Sequence, residues 1–185
     1  MRRTACGGRR LYFFGSVNSI RSDYIHKDIL GHVLYALTLE NRLACEVAIE
    51  TGLRISDVLA IKKIDILKKS FTVKEAKTGK TRRIRLSKRL REELAQIAGK
   101  YYVFEHRIDE TRHRTRQAVY YDIKRAAKLF RVKENLSPHS IRKIYAVEAY
   151  KQSGDLEKVR SLLNHDSIEI TMLYALADVL NKKRG

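Results

Sequence analysis

The chain has 185 residues, of which 44% are hydrophobic, and it contains nine glycines and one proline. This composition indicates one compact domain with its own core and excludes a disordered chain or two domains joined by a long linker. Lysine and arginine total 39 against 21 acidic residues, which gives a net charge of +18. Nucleic acid is the leading partner for such an excess, because its phosphates neutralise the charge and release counterions. A merely basic structural or RNA-binding protein remains an alternative at this point.

Membrane and secreted classes fit the sequence poorly. No apolar run approaches the length of a membrane span, and the basic residues are spread along the chain instead of forming one cluster. The two cysteines, Cys6 and Cys45, fit neither a disulfide framework nor a zinc site. We therefore expect a cytoplasmic protein with no membrane partner, which associates with the nucleoid when it is bound to DNA.

The N-terminal half of the chain is predicted to be helical and then to form a small sheet. Residues 1–22 have no periodicity and read as a basic, poorly ordered leader, so that the domain spans residues 23–185. Starting at Ile25, apolar side chains recur every four residues, which predicts a helix. A second helix ends at Thr51-Gly52, where glycine suits a left-handed cap, and Ser56 opens a short third one. Three short alternating apolar runs follow, and they predict a three-stranded antiparallel sheet; they cover residues 64–66, 71–73 and 84–86.

Helical periodicity returns in the C-terminal half. It covers residues 88–98 and 115–130, which are separated by a polar, basic loop. Ser137 suits an N-cap and Pro138 suits the first helical position. Further helices follow, and the last segments are a helix that carries Tyr174 and a short amphipathic tail. The fold class predicted from these elements is α+β, mostly helical with the small antiparallel sheet.

Two blocks of sequence place basic side chains where a phosphate could bind. In Ser137-Pro138-His139-Ser140-Ile141-Arg142, His139 and Arg142 share one face of the first turn of a helix, next to free backbone N–H groups. Arg54 lies between the apolar Leu53 and Ile55, so burial would demand a strong partner for it. That partner is either Asp57, in a local salt bridge, or a bound phosphate held by the planar guanidinium.

Two further blocks contain a lysine turn and a tyrosine. Lys77-Thr78-Gly79-Lys80 reads as a hairpin turn whose lysine could donate a proton, although most such lysines are simply solvated. Tyr174 follows His165 by nine residues on the next predicted helix. Taken alone, each of these blocks is a weak signal, and a structural role is the simpler interpretation of each.

In their order and separations, the four blocks resemble the catalytic domain of the tyrosine recombinases, or phage integrases. T-G-L-R-I-S-D-V-L resembles the first arginine motif of that family, K-T-G-K its hairpin lysine, and H-S-I-R its H-x-x-R. L-L-N-H-D-S-I-E-I-T-M-L-Y resembles the segment with the second histidine and the tyrosine. The catalytic side chains that the resemblance implies are Arg54, Lys77, His139, Arg142, His165 and Tyr174.

The resemblance also implies their roles. Arg54 and Arg142 clamp the non-bridging phosphate oxygens, and His165 donates a further hydrogen bond. His139 assists proton movement at the nucleophile, while Lys77, favoured over Lys80, protonates the leaving 5′ oxygen. Tyr174 becomes joined to the 3′ phosphate. Neither a cofactor nor a metal is expected, and the partners are double-stranded DNA and further copies of the chain, a monomer when free and a tetramer on DNA.

The sequence departs from the family pattern in three places. Asn164 replaces the usual glycine, and Lys143 stands where histidine is common. Only a short leader precedes residue 23, so we expect that the DNA-clamping domain the family usually carries is not present in this chain, whether it is a fragment or a short single-domain member. There are two alternatives: a type IB topoisomerase, which uses similar chemistry to relax supercoils without strand exchange between partners, and a non-catalytic DNA-binding regulator on an integrase-like scaffold.

Overall fold

The computed structural model describes residues 27–163, which form eight helices and one two-stranded sheet. In chain order the elements are α1 (Lys27–Tyr35), α2 (Leu39–Thr51), α3 (Ile55–Leu59), α4 (Lys63–Ile66), β1 (Phe71–Lys74), β2 (Thr81–Ile84), α5 (Lys88–Ile97), α6 (Arg116–Leu129), α7 (Pro138–Ser153) and α8 (Leu156–Leu163). The predicted leader and the predicted C-terminal helix and tail lie outside the described residues. No helix within this part of the chain has the length and apolar character needed to cross a bilayer.

Helix α2 occupies the centre of the domain. It packs against α7, α3 and α5, and its buried residues include Leu43, Ala44 and Val47. Gly52 ends it in the left-handed region, at φ 68°, and donates its N–H to the carbonyl oxygen of Ala48 at 2.9 Å. The predicted end of the helix is therefore confirmed, and the chain is redirected at once into α3.

The sheet is a single hairpin and lacks the predicted third strand within the described residues. β1 and β2 are antiparallel, with Phe71 opposite Ile84. The apolar run predicted as a further strand lies instead in α4, so this part of the prediction was wrong. Ile66 is 4% exposed and Ile64 is 58% exposed. Residues two apart share a face in a strand but lie on opposite faces of a helix, and a run this short cannot distinguish the two by periodicity.

Helix α6 is fastened to the α1–α2 connection by a buried carboxylate. Oδ2 of Asp122 accepts hydrogen bonds from the backbone N–H of Thr38 at 2.9 Å and from Nδ2 of Asn41 at 2.8 Å, while Oδ1 accepts from Nε of Arg125 at 3.0 Å. Burial alone would raise the pKa of Asp122, but these hydrogen bonds outweigh it and the pKa is lowered. This attachment fixes the N-terminal turns of α6 beside the start of α3 and α7.

Candidate phosphate-binding site

One cavity of about 470 Å³ collects residues from three distant parts of the chain. Its walls are the start of α3, the first two turns of α6 and the start of α7. The lining residues are Arg54, Ile55, Ser56, Arg116, Gln117, Tyr120, Tyr121, Ser137, Pro138, His139 and Arg142. Three of the six residues that the sequence predicted for the site, Arg54, His139 and Arg142, therefore meet in one place.

Arg54 is the N-cap residue of α3 and extends from the α2–α3 junction into the cavity wall. Its Nη1 donates a hydrogen bond to Oε2 of Glu75, a carboxylate whose side chain is 0% exposed. Asp57, the local partner that the sequence offered, instead accepts a hydrogen bond from the backbone N–H of Ala76 at 3.0 Å. The ion pair of Arg54 is thus made with the base of the hairpin turn and not within its own helix.

Glu75 is a site residue that the sequence analysis missed. Its Oε1 lies 3.5 Å from Nη1 of Arg82, and its Oε2 lies 3.3 Å from Oγ1 of Thr78. A signal for it exists in the sequence, because the period of two in a strand places Glu75 on the same face as the buried Phe71. An acidic side chain buried on that face requires cationic partners, and the partly buried Arg54 and Arg82 supply them.

Asp57 is buried near Arg54 and Arg142. Burial raises the pKa of its carboxyl, and the negative charge of Glu75 raises it further, whereas the Ala76 N–H and the charges of Arg54 and Arg142 act in the opposite direction. The net effect is a pKa above the usual value. Within the described residues Oδ2 of Asp57 accepts no hydrogen bond, so the cost of burial is not offset at that oxygen.

The start of α7 is built by its own sequence. Ser137 caps the helix through a capping box in which its side chain accepts from the helical N–H groups and Ser140 reaches back to the Ser137 N–H, and Pro138 occupies the first turn. The first turn then presents His139 to the cavity, where its ring is accessible to solvent. Arg142 lies one turn later and is buried, at 4% exposure.

His139 is surrounded by positive charge. Desolvation by the surrounding protein lowers the pKa of its imidazole, and the charges of Arg142, Arg116, Arg54 and Lys77 lower it further. A neutral ring is therefore favoured at pH 7. The same four charges make the cavity a site for an anion, and a phosphodiester would relieve their mutual repulsion.

Lys77 lies beside the cavity and not in its wall. It occupies the exposed turn between β1 and β2, which the Gly79 N–H closes by donating to the carbonyl oxygen of Glu75 at 2.8 Å. The charge of Lys77 contributes to the lowered pKa of His139, so Lys77 lies within electrostatic reach of the cavity. Lys80 is also exposed, at the end of this turn.

The remaining two predicted residues, His165 and Tyr174, lie outside the described residues. Arg142 contacts the last described residue, since its Nη2 donates a hydrogen bond to the carbonyl oxygen of Leu163. Leu163 is two positions before His165 in the sequence.

Helix α6 contributes a wall that the sequence analysis did not assign to the site. Arg116 and Tyr120 are four residues apart, as are Gln117 and Tyr121, and each pair lies on one stripe of the helix. Tyr121 is exposed, and its ring contacts that of Tyr120 edge to face, with centroids 5.5 Å apart. The signal that could have found this wall is Thr115, a helix N-cap that places Arg116 in the first turn.

Comparisons with known proteins identify relatives of this chain. The chain is 29% identical over 130 residues to the "Probable integrase/recombinase YoeC" of Bacillus subtilis strain 168, across 68% of this chain and 71% of that protein. It is 28% identical over 149 residues to "Tyrosine recombinase XerD" of Ralstonia nicotianae, across 75% of this chain and 48% of that protein. The chain thus spans about half the length of this second relative.

Solved structures and a family profile complete the comparison. A lambda integrase dimer bound to a COC′ core site has a TM-score of 0.69 at 24% identity, over 84% of this chain and 60% of that one. A lambda integrase tetramer bound to a Holliday junction has a TM-score of 0.68 at 23% identity, over 84% of this chain and 48% of that one. These similarities confirm the predicted fold class, mostly helical α+β with a small antiparallel sheet. The profile of the phage integrase family matches residues 24–180, so the chain belongs to that family.

Proposed function

We propose that this chain carries out site-specific recombination by cutting and rejoining DNA through a covalent bond between Tyr174 and a 3′ phosphate. The observation that carries the proposal is the meeting of Arg54, His139 and Arg142 in one cavity, although they come from segments far apart in the chain. Lys77 adds its charge to this group from the neighbouring turn. A phosphodiester is the ligand that such a cationic, partly enclosed site would bind.

The two arginines would stabilise the charge that develops on the phosphate. When a tyrosine oxygen attacks a phosphodiester, the pentacoordinate state carries two negative charges, and fixed donors lower its energy because they need no rearrangement. Arg54 is held by Glu75 and Arg142 by the Leu163 carbonyl, so both guanidinium groups are already oriented. In the proposed step they contact the two non-bridging oxygens, with His165 as a further donor.

Proton transfer is the task of His139 and Lys77. The bond between the Tyr174 oxygen and phosphorus forms while the bond from phosphorus to the 5′ oxygen breaks. His139, which its surroundings favour in the neutral form, accepts the proton of the tyrosine. Lys77 gives a proton to the departing 5′ oxygen. Attack by a free 5′ hydroxyl reverses these transfers and rejoins the strand, so the bond energy is conserved in the tyrosyl ester.

Double-stranded DNA is the proposed partner. The chain would be a monomer when free and would assemble as a tetramer on DNA. Lambda integrase, which shares the fold, has been solved as a dimer bound to a core site and as a tetramer bound to a Holliday junction. The net charge of +18 supports binding of a polyanion. An activity on chromosomal or mobile-element DNA would place the protein in the cytoplasm, associated with the nucleoid while bound.

The decisive experiment is incubation with a duplex that carries a nick beside the cleavage position. Cleavage then releases a short fragment that dissociates, so the strand cannot be rejoined and the covalent product accumulates. We expect an adduct that survives denaturing electrophoresis and maps to Tyr174 by peptide mass. Tyr174→Phe should still bind DNA and form no adduct. Tyr35→Phe is the matched control, because Tyr35 is exposed on α1 and removed from the cavity.

The outcomes separate the competing functions. An adduct formed by the Tyr174→Phe variant would refute Tyr174 as the nucleophile. DNA binding by the wild type without any adduct would favour a non-catalytic regulator. Relaxation of supercoiled plasmid by the monomer, without exchange of strands between duplexes, would favour activity of the type IB topoisomerase kind.

A further inference from the structure

The buried carboxylate of Glu75 connects two parts of the proposed machinery. On one side it holds Arg54, whose Nη1 donates to Oε2. On the other side the same Oε2 lies 3.3 Å from Oγ1 of Thr78, the residue that follows Lys77 in the turn. One side chain therefore contacts both the arginine at the cavity wall and the turn that carries the lysine.

The backbone of Glu75 closes the turn as well. Its N–H donates to the carbonyl oxygen of Lys80 at 2.9 Å, and its carbonyl oxygen accepts from the N–H of Gly79 at 2.8 Å. The other carboxylate oxygen, Oε1, lies 3.5 Å from Nη1 of Arg82. Arg82 is anchored independently, because its Nη2 donates to the carbonyl oxygen of Thr51 at 2.8 Å. The carboxylate is thus fixed from several directions.

We propose that Glu75 is a positioning residue, which holds the phosphate-clamping Arg54 and the Lys77 turn in one fixed geometry. The inference rests on the proposed function and adds to it a residue that touches neither the DNA nor the reacting atoms. Replacing a whole buried ion pair by apolar side chains is often neutral for stability, so stability alone does not explain why Glu75 is a buried carboxylate. Here it lies between a clamp and a proton donor that must act on the same phosphate at the same time.

Glu75 would act by orienting Arg54 and the turn that carries Lys77. Arg54 has five N–H donors in a rigid plane, so a bond to one nitrogen fixes the direction of the others. Lys77 extends from an exposed turn with a flexible side chain, so the position of its backbone decides whether its ammonium reaches the leaving oxygen. In metal sites, removing a residue that orients a metal ligand typically lowers metal affinity or activity about 10- to 100-fold. We expect an effect of similar size for a residue that orients catalytic side chains.

The test compares two leaving groups in the same cleavage reaction. In one duplex the bridging 5′ atom is oxygen, which needs a proton to leave. In the other it is sulfur, which leaves as a thiolate and needs none. Single-turnover cleavage at saturating DNA is measured for wild type, Glu75→Gln and Thr78→Val, together with DNA affinity and thermal unfolding.

The proposal predicts a different pattern for each variant. Glu75→Gln should slow cleavage of the oxygen duplex by about tenfold or more, with unchanged DNA affinity, and sulfur should restore only part of the rate because Arg54 is also misaligned. Thr78→Val removes the contact to the turn and leaves the Arg54 pair, so it should slow the oxygen duplex and leave the sulfur duplex near the wild-type rate. Glu92→Gln, the same chemical change at an exposed position of α5, should change neither rate.

Several results would overturn the proposal. A wild-type rate for Glu75→Gln on the oxygen duplex is one of them. If Glu75→Gln does not fold, the Thr78→Val variant tests the proposal instead. Equal slowing of both duplexes by Thr78→Val would assign the contact between Thr78 and Glu75 a purely structural role. An absence of any Tyr174 adduct in the wild type would instead overturn the proposed function, and this inference with it, before either variant is compared.

Discussion

Arg142 donates a hydrogen bond to the carbonyl oxygen of Leu163, which ties the first turns of α7 to the end of α8. The same guanidinium lines the cavity beside His139. A single buried side chain therefore serves both the packing of two helices and the proposed clamp on the phosphate, and substitutions at Arg142 and Arg54 should have different consequences.

Arg142→Lys should weaken both stability and cleavage. A lysine ammonium cannot make the planar set of bonds that a guanidinium makes, so the Leu163 carbonyl and the phosphate compete for it. We expect a loss of about 1–3 kcal/mol in the free energy of unfolding, measured by urea denaturation, together with slower cleavage. An unchanged unfolding free energy would show that the Leu163 contact contributes nothing to the fold.

Arg54→Lys should reduce cleavage while the domain folds normally. Lysine keeps the positive charge that the buried Glu75 requires, but it cannot pair with Glu75 and present a bidentate fork to a phosphate together. We expect about a 10²- to 10³-fold slower single-turnover rate with an unaltered melting temperature. Arg83→Lys on the exposed face of β2 is the control, and wild-type cleavage by the Arg54→Lys variant would return Arg54 to a purely structural role.

The pKa of His139 in the free protein should lie below 6.5, its usual value. Because the folded state lowers it, the stabilising contribution of the neutral ring is present above pH 6.5 and is lost as pH falls through the lower, folded-state pKa. NMR titration of the ring should show the lowered pKa, and Arg116→Gln should raise it by removing a nearby cation. Arg83→Gln should leave it unchanged, and a shift equal to that of Arg116→Gln would refute the local cause.

Lys77→Ala should slow cleavage of an ordinary duplex more than Lys80→Ala does. Both lysines are exposed on the same hairpin, so the two variants remove the same charge and differ in position only. The charge of Lys77 acts on His139, which supports its choice as the proton donor. Normal cleavage by the Lys77→Ala variant combined with slow cleavage by the Lys80→Ala variant would transfer the role to Lys80.

Gly52→Ala should destabilise the domain more than Gly154→Ala does. Both glycines end a helix in the left-handed region, at φ 68° and 65°, so the backbone strain of about 1–2 kcal/mol is common to the two. A Cβ at position 52 would clash with the Tyr145 ring, whereas one at position 154 would meet nothing within 4 Å. Chemical denaturation should show that Gly52→Ala loses about 1–3 kcal/mol more unfolding free energy than Gly154→Ala. Equal losses for the two variants would mean that the Tyr145 ring moves aside freely.

Local rules of sequence determined much of this protein. The helix ends at Gly52 and Gly154 and the capped start of α7 at Ser137 depend on residues within one turn of each other, so they could be predicted without a fold. The order of the four blocks indicated the family and the six candidate catalytic residues. The roles of His165 and Tyr174 stay predictions that rest on that order.

The tertiary structure decided what those residues touch. Whether Ile64 and Ile66 belonged to a strand or a helix depended on which of them the core could accept, since a short apolar run fits both. From the sequence alone, the candidate partners of Arg54 were Asp57 and a bound phosphate. Glu75 lies 21 positions away in the chain and reaches Arg54 only because the hairpin folds back onto the α2–α3 junction. Burial of that carboxylate between two arginines, and the convergence of α3, α6 and α7 on one cavity, arise from packing of distant segments, which no local pattern encodes.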